Sequence, residues 1–222
     1  MLLKAIAFDL DGTLVDSAPD IAHALDVALR REDLPGFDLS TVRGWIGDGP
    51  DVLIARALAT CGAASNDPAL HARLRAAFDA ATMSTPLVHG GVYDGIEAML
   101  AQLKDRLSLL VVTNRPAAMA AAVLSAAGLQ TYFSAVFGAD THAQRKPAPL
   151  MLEAAALQLG LDRRHLLMVG DSPADLQSAR AAGCPAMLVN WGYGGAHVPP
   201  DPGLRRLDTP GELTELLKNA AL

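Results

Sequence analysis

A chain of 222 residues with a formal net charge of −6 is long enough for one large domain or two small ones. At 51 % hydrophobic and 19 % charged it can bury a core, which excludes intrinsic disorder, and its acidic balance without a basic block argues against nucleic acid or anionic membrane as the main partner. No apolar run approaches the ~20 residues that span a bilayer, the first residues lack a secretory pattern, and Cys61 and Cys184 show neither ligand nor disulfide spacing, so a soluble cytoplasmic protein is expected.

The first element is a continuous apolar run over residues 3–10, ending at Asp9 and a turn. Runs of the same kind recur at 107–112, 135–137, 166–169 and 186–189, the second ending at Thr113-Asn114, the fourth at Gly170-Asp171 and the last at Asn190. Continuous apolar runs without alternation suit strands buried on both faces, hence a parallel sheet. Helical patterns lie between them at 96–103, 116–127, 150–159 and 173–182, three with a glycine stop and two with a proline start. Alternating strands and helices predict a doubly wound, Rossmann-like α/β fold.

The alternation breaks once. From about residue 17 to 86 there is no strand pattern, only helical patterns at 21–31, 51–61 and 68–83 with polar or glycine-rich joints at 31–39, 44–50 and 62–67. This predicts an all-helical cap over 17–85, inserted into a discontinuous core of 1–16 and 86–222, with its two hinges near Ser17-Ala18-Pro19 and residues 84–91.

In open parallel sheets ligands bind outside the carboxyl ends of the strands. Those ends carry Asp9, Asp11, Thr113, Asn114, Asp171 and Asp175, with Lys146 in the loop after the third run. Carboxylates converging on one edge repel each other unless a cation joins them, and hard oxygen ligands suit Mg²⁺. A hydroxyl, an ammonium and helix N-termini at the same edge make an anion site. Metal, anion site and a spare carboxylate together suggest phosphoryl transfer. Lys146 is one of only four lysines against fourteen arginines, which hints that a compact point charge is wanted there. Taken singly, each residue has an ordinary alternative: a helix cap for Asp171 and for Thr113-Asn114, a solvated surface position for Lys146.

Together they fall into four ordered motifs that resemble those of the haloacid dehalogenase-like hydrolases. Asp9-Leu10-Asp11-Gly12-Thr13-Leu14-Val15-Asp16-Ser17 is similar to the first motif, and Val112-Thr113-Asn114 to the second. Lys146-Pro147 is similar to the third, and Gly170-Asp171-Ser172-Pro173-Ala174-Asp175 to the fourth. Within the superfamily the chain is most similar to the branch that hydrolyses phosphoglycolate. That likeness rests on Asp16-Ser17-Ala18-Pro19-Asp20, on the segment from Trp45 to Leu53, on Thr113-Asn114-Arg115-Pro116 and on Trp191-Gly192-Tyr193-Gly194. Arg115 stands where that branch typically has lysine, and Leu150-Met151 where a further proline is common.

The resemblance implies a Mg²⁺-dependent phosphomonoesterase. Asp9 would be the nucleophile, and Asp11 the acid and base, its carboxyl free and holding its proton readily near the phosphate. Mg²⁺ would be held by Asp9, the Asp11 backbone carbonyl and Asp171. Thr113 and Lys146 would bind phosphoryl oxygens, with Asn114 and the Gly12 region as further donors and Asp175 as an orienting group. The substrate would be a small phosphorylated metabolite, 2-phosphoglycolate first. Phosphatases for a sugar phosphate or pyrophosphate, and a sugar phosphomutase, remain as alternatives. From the cap, Gly47, Asp48, Gly49 and Arg43 are the candidate substrate contacts, and the protein is expected to act as a monomer or homodimer. The six histidines show no ligand spacing, and Gly192-Tyr193-Gly194-Gly195 reads as a loop rather than a nucleotide-binding turn.

Overall fold

The apolar runs become the strands of one sheet in the computed structural model, which describes residues 3–62 and 67–219. These strands are β1 (Ala5–Phe8), β4 (Ser108–Thr113), β5 (Ala135–Gly138), β6 (Leu166–Gly170) and β7 (Ala186–Val189). A sixth strand, β8 (Arg205–Leu207), joins them in the order β5-β4-β1-β6-β7-β8, with every pairing parallel. β1 is central and its four residues are all buried. Its alternate side chains feed two cores, as the pleat dictates. Ile6 and Phe8 face a layer built from α5 (Ile96–Leu103), α6 (Ala117–Ala126) and α9 (Pro210–Asn219). Ala5 and Ala7 face α7 (Leu150–Gln158) and α8 (Pro173–Ala182). The second layer is thick with alanines, Ala155, Ala156, Ala179 and Ala182 among them, so small side chains bring those helices close to the sheet.

The chain runs from β1 outward through β4 and β5, then returns to the other side of β1 with β6. Strand order therefore reverses at β1 and β6, and a crevice opens beyond their carboxyl ends. Register brings the ends level: Phe8 pairs with both Val111 and Val169. Asp9 continues the ladder, its N–H donating to Val169 O at 2.9 Å.

The inserted segment is helical: α1 (Ala18–Arg30), α2 (Leu39–Arg43), α3 (Pro50–Thr60) and α4 (Pro68–Ser84). In α1, Ile21, Ala24, Leu25, Ala28 and Leu29 repeat at helical spacing and meet Leu53, Ile54, Leu58, Leu74 and Phe78 in a core of their own. Pro68 opens α4 behind Asp67, whose carboxylate accepts the N–H groups of Ala69 and Leu70 at 2.9 and 3.2 Å. Burying one such leucine is worth about 2 kcal/mol, and this cluster packs the four helices against one another.

The two chain crossings between insertion and sheet lie side by side. β2 (Val15–Asp16) pairs antiparallel with β3 (Gly91–Val92). Asp20 then accepts the N–H groups of Val88, His89 and Gly90 at 2.6, 2.9 and 2.7 Å. Gly90 is needed there, because a Cβ would lie 1.9 Å from the Asp16 carbonyl oxygen.

Sequence pattern and structure differ at the short elements. β2, β3 and β8 have too few residues to show a period, and α2 falls at the edge of a joint expected to be irregular. Pro116, expected as the first helical residue, is extended (ψ 142°) and precedes the helix, which begins at Ala117. Among the described residues no helix is long and apolar enough to cross a membrane.

Candidate active site

Asp9 sits where β1 ends, 6 % exposed, and its Oδ1 lies 2.8 Å from Lys146 Nζ. The same ammonium donates to Asp175 Oδ1 at 2.6 Å and to Val112 O at 2.9 Å, so all its directions are used inside the protein. Lys146 reaches this point because Asn114 clamps its backbone from both sides. Asn114 Oδ1 accepts Lys146 N–H at 2.7 Å, and its Nδ2 donates to Lys146 O at 3.0 Å.

Asp171 follows β6 and is held by the loop after β7: its Oδ2 accepts the N–H groups of Tyr193 and Gly194 at 2.6 and 3.0 Å. Asp175 stands in the first turn of α8 and caps reciprocally with Ser172, accepting its N–H at 3.0 Å and its Oγ–H at 2.6 Å. Carboxylate oxygens of Asp9, Asp171 and Asp175 lie within 4.8 Å of one another.

Burial drives Asp9 and Asp171 toward the neutral form. Lys146 pulls the Asp9 carboxyl down, but burial, Asp175 and Asp171 outweigh it and push Asp9 up to about 8. Asp171 rises to about 6, from burial and the charge of Asp175, against the N–H groups of Gly194 and Tyr193. Lys146 is itself raised: burial lowers it, yet Asp175 and Asp9 hold its proton. One ammonium cannot balance three carboxylates. The donor set is all hard oxygen and short of two positive charges, which fits a divalent cation.

Asp11 lies on the same side as Asp9 and lines the same cavity, but its carboxylate is outside the trio. The sequence predicts a free carboxyl here, and the structure corrects that: Asp11 is bound. Arg115 grips it through two parallel bonds, Nε to Oδ2 at 3.0 Å and Nη2 to Oδ1 at 2.7 Å, and Ser17 Oγ–H donates to Oδ1. Burial raises the Asp11 carboxyl, but Arg115 and Ser17 prevail and hold it below the ordinary carboxylate value. An arginine fork in place of a solvated phosphate neighbour reverses the direction.

Thr113 ends β4 with its Oγ1 accepting Arg115 N–H at 3.2 Å, and it lines the cavity. Two expected donors are otherwise engaged. The Asn114 side-chain amide is spent on Lys146 O and, at 2.8 Å, on Gly47 O. Gly12 N–H donates to Val15 O at 2.9 Å. What Gly12 supplies is space: at φ +83° a Cβ would stand 2.6 Å from Asp171 Oδ2.

From the insertion, Gly47 and Gly49 line the cavity, whereas Asp48 and Arg43 do not. Asp48 is drawn away by Arg56 Nη2 at 2.6 Å. Arg43 is paired with Asp16 at 3.2 Å and lies over the Tyr193 ring, 5.5 Å from its centre. No histidine lines the cavity among the described residues.

Three residues outside the expected set belong to this site. Arg115 follows directly on Thr113-Asn114 at a strand end, and that position was the signal. Tyr193 sits in the glycine-rich loop after β7, again at a carboxyl end; its hydroxyl donates to Asp16 Oδ1 at 2.7 Å and accepts Ala18 N–H at 3.0 Å. Burial and the neighbouring Tyr93 keep that hydroxyl protonated. Ser17 closes the first motif. Its partner, Asp11, stands six residues earlier in that same motif.

A sheet with buried carboxylates at the β1 and β6 ends, a lysine between them and a helical insertion over the crevice defines a phosphate-handling hydrolase. The chain belongs to the haloacid dehalogenase-like hydrolases, whose family model matches residues 3–183. It is similar to the phosphoglycolate phosphatase of Rhodospirillum rubrum, 43 % identical over 195 residues, covering 86 % of this chain and 80 % of that protein. The phosphoglycolate phosphatase of Yersinia pestis is 41 % identical over 192 residues, covering 86 % and 82 %. A crystal structure described as a predicted phosphoglycolate phosphatase from Haemophilus somnus superposes with a TM-score of 0.87 at 29 % identity, covering 97 % of this chain and 98 % of that one.

Proposed function

We propose that the protein is a Mg²⁺-dependent phosphatase that converts 2-phosphoglycolate to glycolate and phosphate through an aspartyl-phosphate on Asp9. The observation that carries this reading is Asp9 itself: a carboxylate at the cavity floor, ion-paired to Lys146 and set in a trio short of two positive charges. The names of the relatives at 41 and 43 % identity support the choice of substrate.

Asp9, the Asp11 backbone carbonyl and Asp171 would hold the cation. Bound there, Mg²⁺ supplies charge neutralisation for the phosphoryl oxygens and keeps Asp9 ionised. Asp9 Oδ attacks phosphorus, the P–O bond to the glycolate oxygen breaks, and Asp11, protonated once Arg115 releases it, gives that oxygen a proton. Asp11 then takes a proton from water, which attacks the aspartyl-phosphate and restores Asp9. Thr113 binds a non-bridging oxygen, and Lys146, on giving up one of its three protein acceptors, binds another and screens nucleophile from phosphate. Asp175 positions Lys146 by their bond at 2.6 Å. Residues 17–85 act as the cap that excludes bulk water, turning on the paired crossings β2 and β3. The enzyme works in the cytoplasm, as a monomer or homodimer, on a free metabolite.

The test is phosphate release in Mg²⁺ buffer from 2-phosphoglycolate, sugar phosphates, nucleoside monophosphates and pyrophosphate, ranked by kcat/KM. A first-turnover burst with trapped aspartyl-phosphate is expected. A best substrate without a carboxylate would refute the assignment of phosphoglycolate.

A further inference from the structure

The cavity above Asp9 is chemically lopsided. Every side chain that the insertion contributes to its lining is apolar or absent: Ile21, Ile46, Pro50, Leu53 and Phe78, with Gly47 and Gly49. None offers a hydrogen bond to a substrate tail. A polyol seated there would find no side-chain partner on the insertion's wall, which disfavours sugar phosphates. Arg115, from the sheet side, is the only lining residue with a cationic side chain among the described residues. It is 7 % exposed, and Asp11 engages two of its nitrogens in one planar fork, a geometry that suits any carboxylate.

Position fixes which carboxylate can compete. Asp11 is the group that must reach the ester oxygen in the proposed reaction, and Arg115 touches Asp11. An acid carbon separated from the ester oxygen by one methylene therefore falls within reach of the same guanidinium. We propose that Arg115 is the specificity-determining residue of this site. Its guanidinium passes from Asp11 to a substrate carboxylate one carbon removed from the phosphate ester, confining efficient turnover to small acidic phosphomonoesters. The inference rests on the phosphatase reading given above, and it moves substrate selection from the insertion to the core.

The experiment compares phosphate release from 2-phosphoglycolate, ethyl phosphate, glucose 6-phosphate and p-nitrophenyl phosphate, in wild type and in Arg115→Met and Arg115→Lys. Ethyl phosphate keeps the two carbons and lacks the carboxylate. Wild type should prefer 2-phosphoglycolate over ethyl phosphate by about 100-fold in kcat/KM, the scale of charged hydrogen bonds that ethyl phosphate cannot make. Arg115→Met should erase most of that preference, chiefly through KM for 2-phosphoglycolate, and Arg115→Lys should restore part of it. Equal losses on both esters would overturn the proposal, because Arg115 would then merely position Asp11. So would a wild type that cleaves ethyl phosphate or glucose 6-phosphate as well as 2-phosphoglycolate, a comparison that needs no variant to fold. If wild type releases phosphate from none of the four, the phosphatase reading fails and this proposal falls with it.

Discussion

Lys146 Nζ stands 2.6 Å from Asp175 Oδ1, and both side chains are sealed from water at 2 % and 0 % exposure. A buried pair of this kind gains little over an apolar pair, but removing one member strands the other. Lys146→Met leaves Asp175 and Asp9 without their shared cation. The variant should lose phosphate release and about 3–5 kcal/mol of stability, read by urea denaturation in chelator. A loss below about 1 kcal/mol would mean that water or a proton replaces the ammonium at little cost.

Asp9→Asn separates chemistry from stability. Phosphate release should fall by about 10³-fold or more, since an amide cannot carry the phosphoryl group. The metal-free protein, in contrast, should melt higher at pH 9. Asp9 is raised to about 8 in the fold, above its unfolded value, so at a pH beyond that its ionised form disfavours folding. Turnover at the wild-type rate would refute the nucleophile assignment.

Cation dependence gives a readout that needs no substrate. Mg²⁺ at about 100 times its dissociation constant should stabilise the fold by about 2.7 kcal/mol, seen as a rise in Tm. EDTA should abolish both that rise and phosphate release. Asp171→Asn should show no rise with Mg²⁺, because its oxygens belong to the trio.

Gly12→Ala tests the close approach at the first motif. The new Cβ meets Asp171 Oδ2 at 2.6 Å and Tyr193 Cδ2 at 2.9 Å, at a φ of +83° that alanine resists. We expect about 1–3 kcal/mol of destabilisation and a weakened Tm response to Mg²⁺. An unchanged Mg²⁺ response would show that Asp171 can retreat without consequence.

Asp51 ties the insertion to the sheet, accepting from Arg75 of α4 and from Arg145, the residue before Lys146. Partial burial raises its carboxyl, but the two guanidinium groups win and hold it below its ordinary value. A depressed carboxyl stabilises above its unfolded pKa of ~4 and loses that contribution as pH falls through the folded one. The stability gap between wild type and Asp51→Asn should therefore be full at pH 7 and shrink steadily below pH ~4. A gap independent of pH from 7 to 2 would exclude this ion pairing.

The sheet was legible because its strands are buried on both faces and so stand out as unbroken apolar runs. β8 escaped for the opposite reason: at the sheet's edge it carries Arg205 and Arg206, as edge strands do. Helix α9 lies beyond the elements the pattern predicts, although Pro210 with Leu213 and Leu217 four apart, both buried, carries a helical signature. In the site, the residues at strand ends were legible by position, and Asp9, Asp11, Thr113, Lys146 and Asp171 do converge. What each does there depends on partners far away in sequence. The Arg115–Asp11 fork joins residues more than a hundred positions apart, and no local pattern encodes it. The same holds for Asn114, whose amide looked available until the fold brought Lys146 and Gly47 to it.

Adjacent strands run about 4.8 Å apart, so the β2–β3 pairing places the chain's exit from the core beside its return. Each doubling of the chain between adds only about 0.6 kcal/mol to the entropy of closing that gap. The helical unit is thus attached like a page in a binding. It can be lengthened, reshaped or exchanged across descendants while the six-stranded sheet keeps its register. The apolar wall travels with that page, and Arg115 remains on the spine.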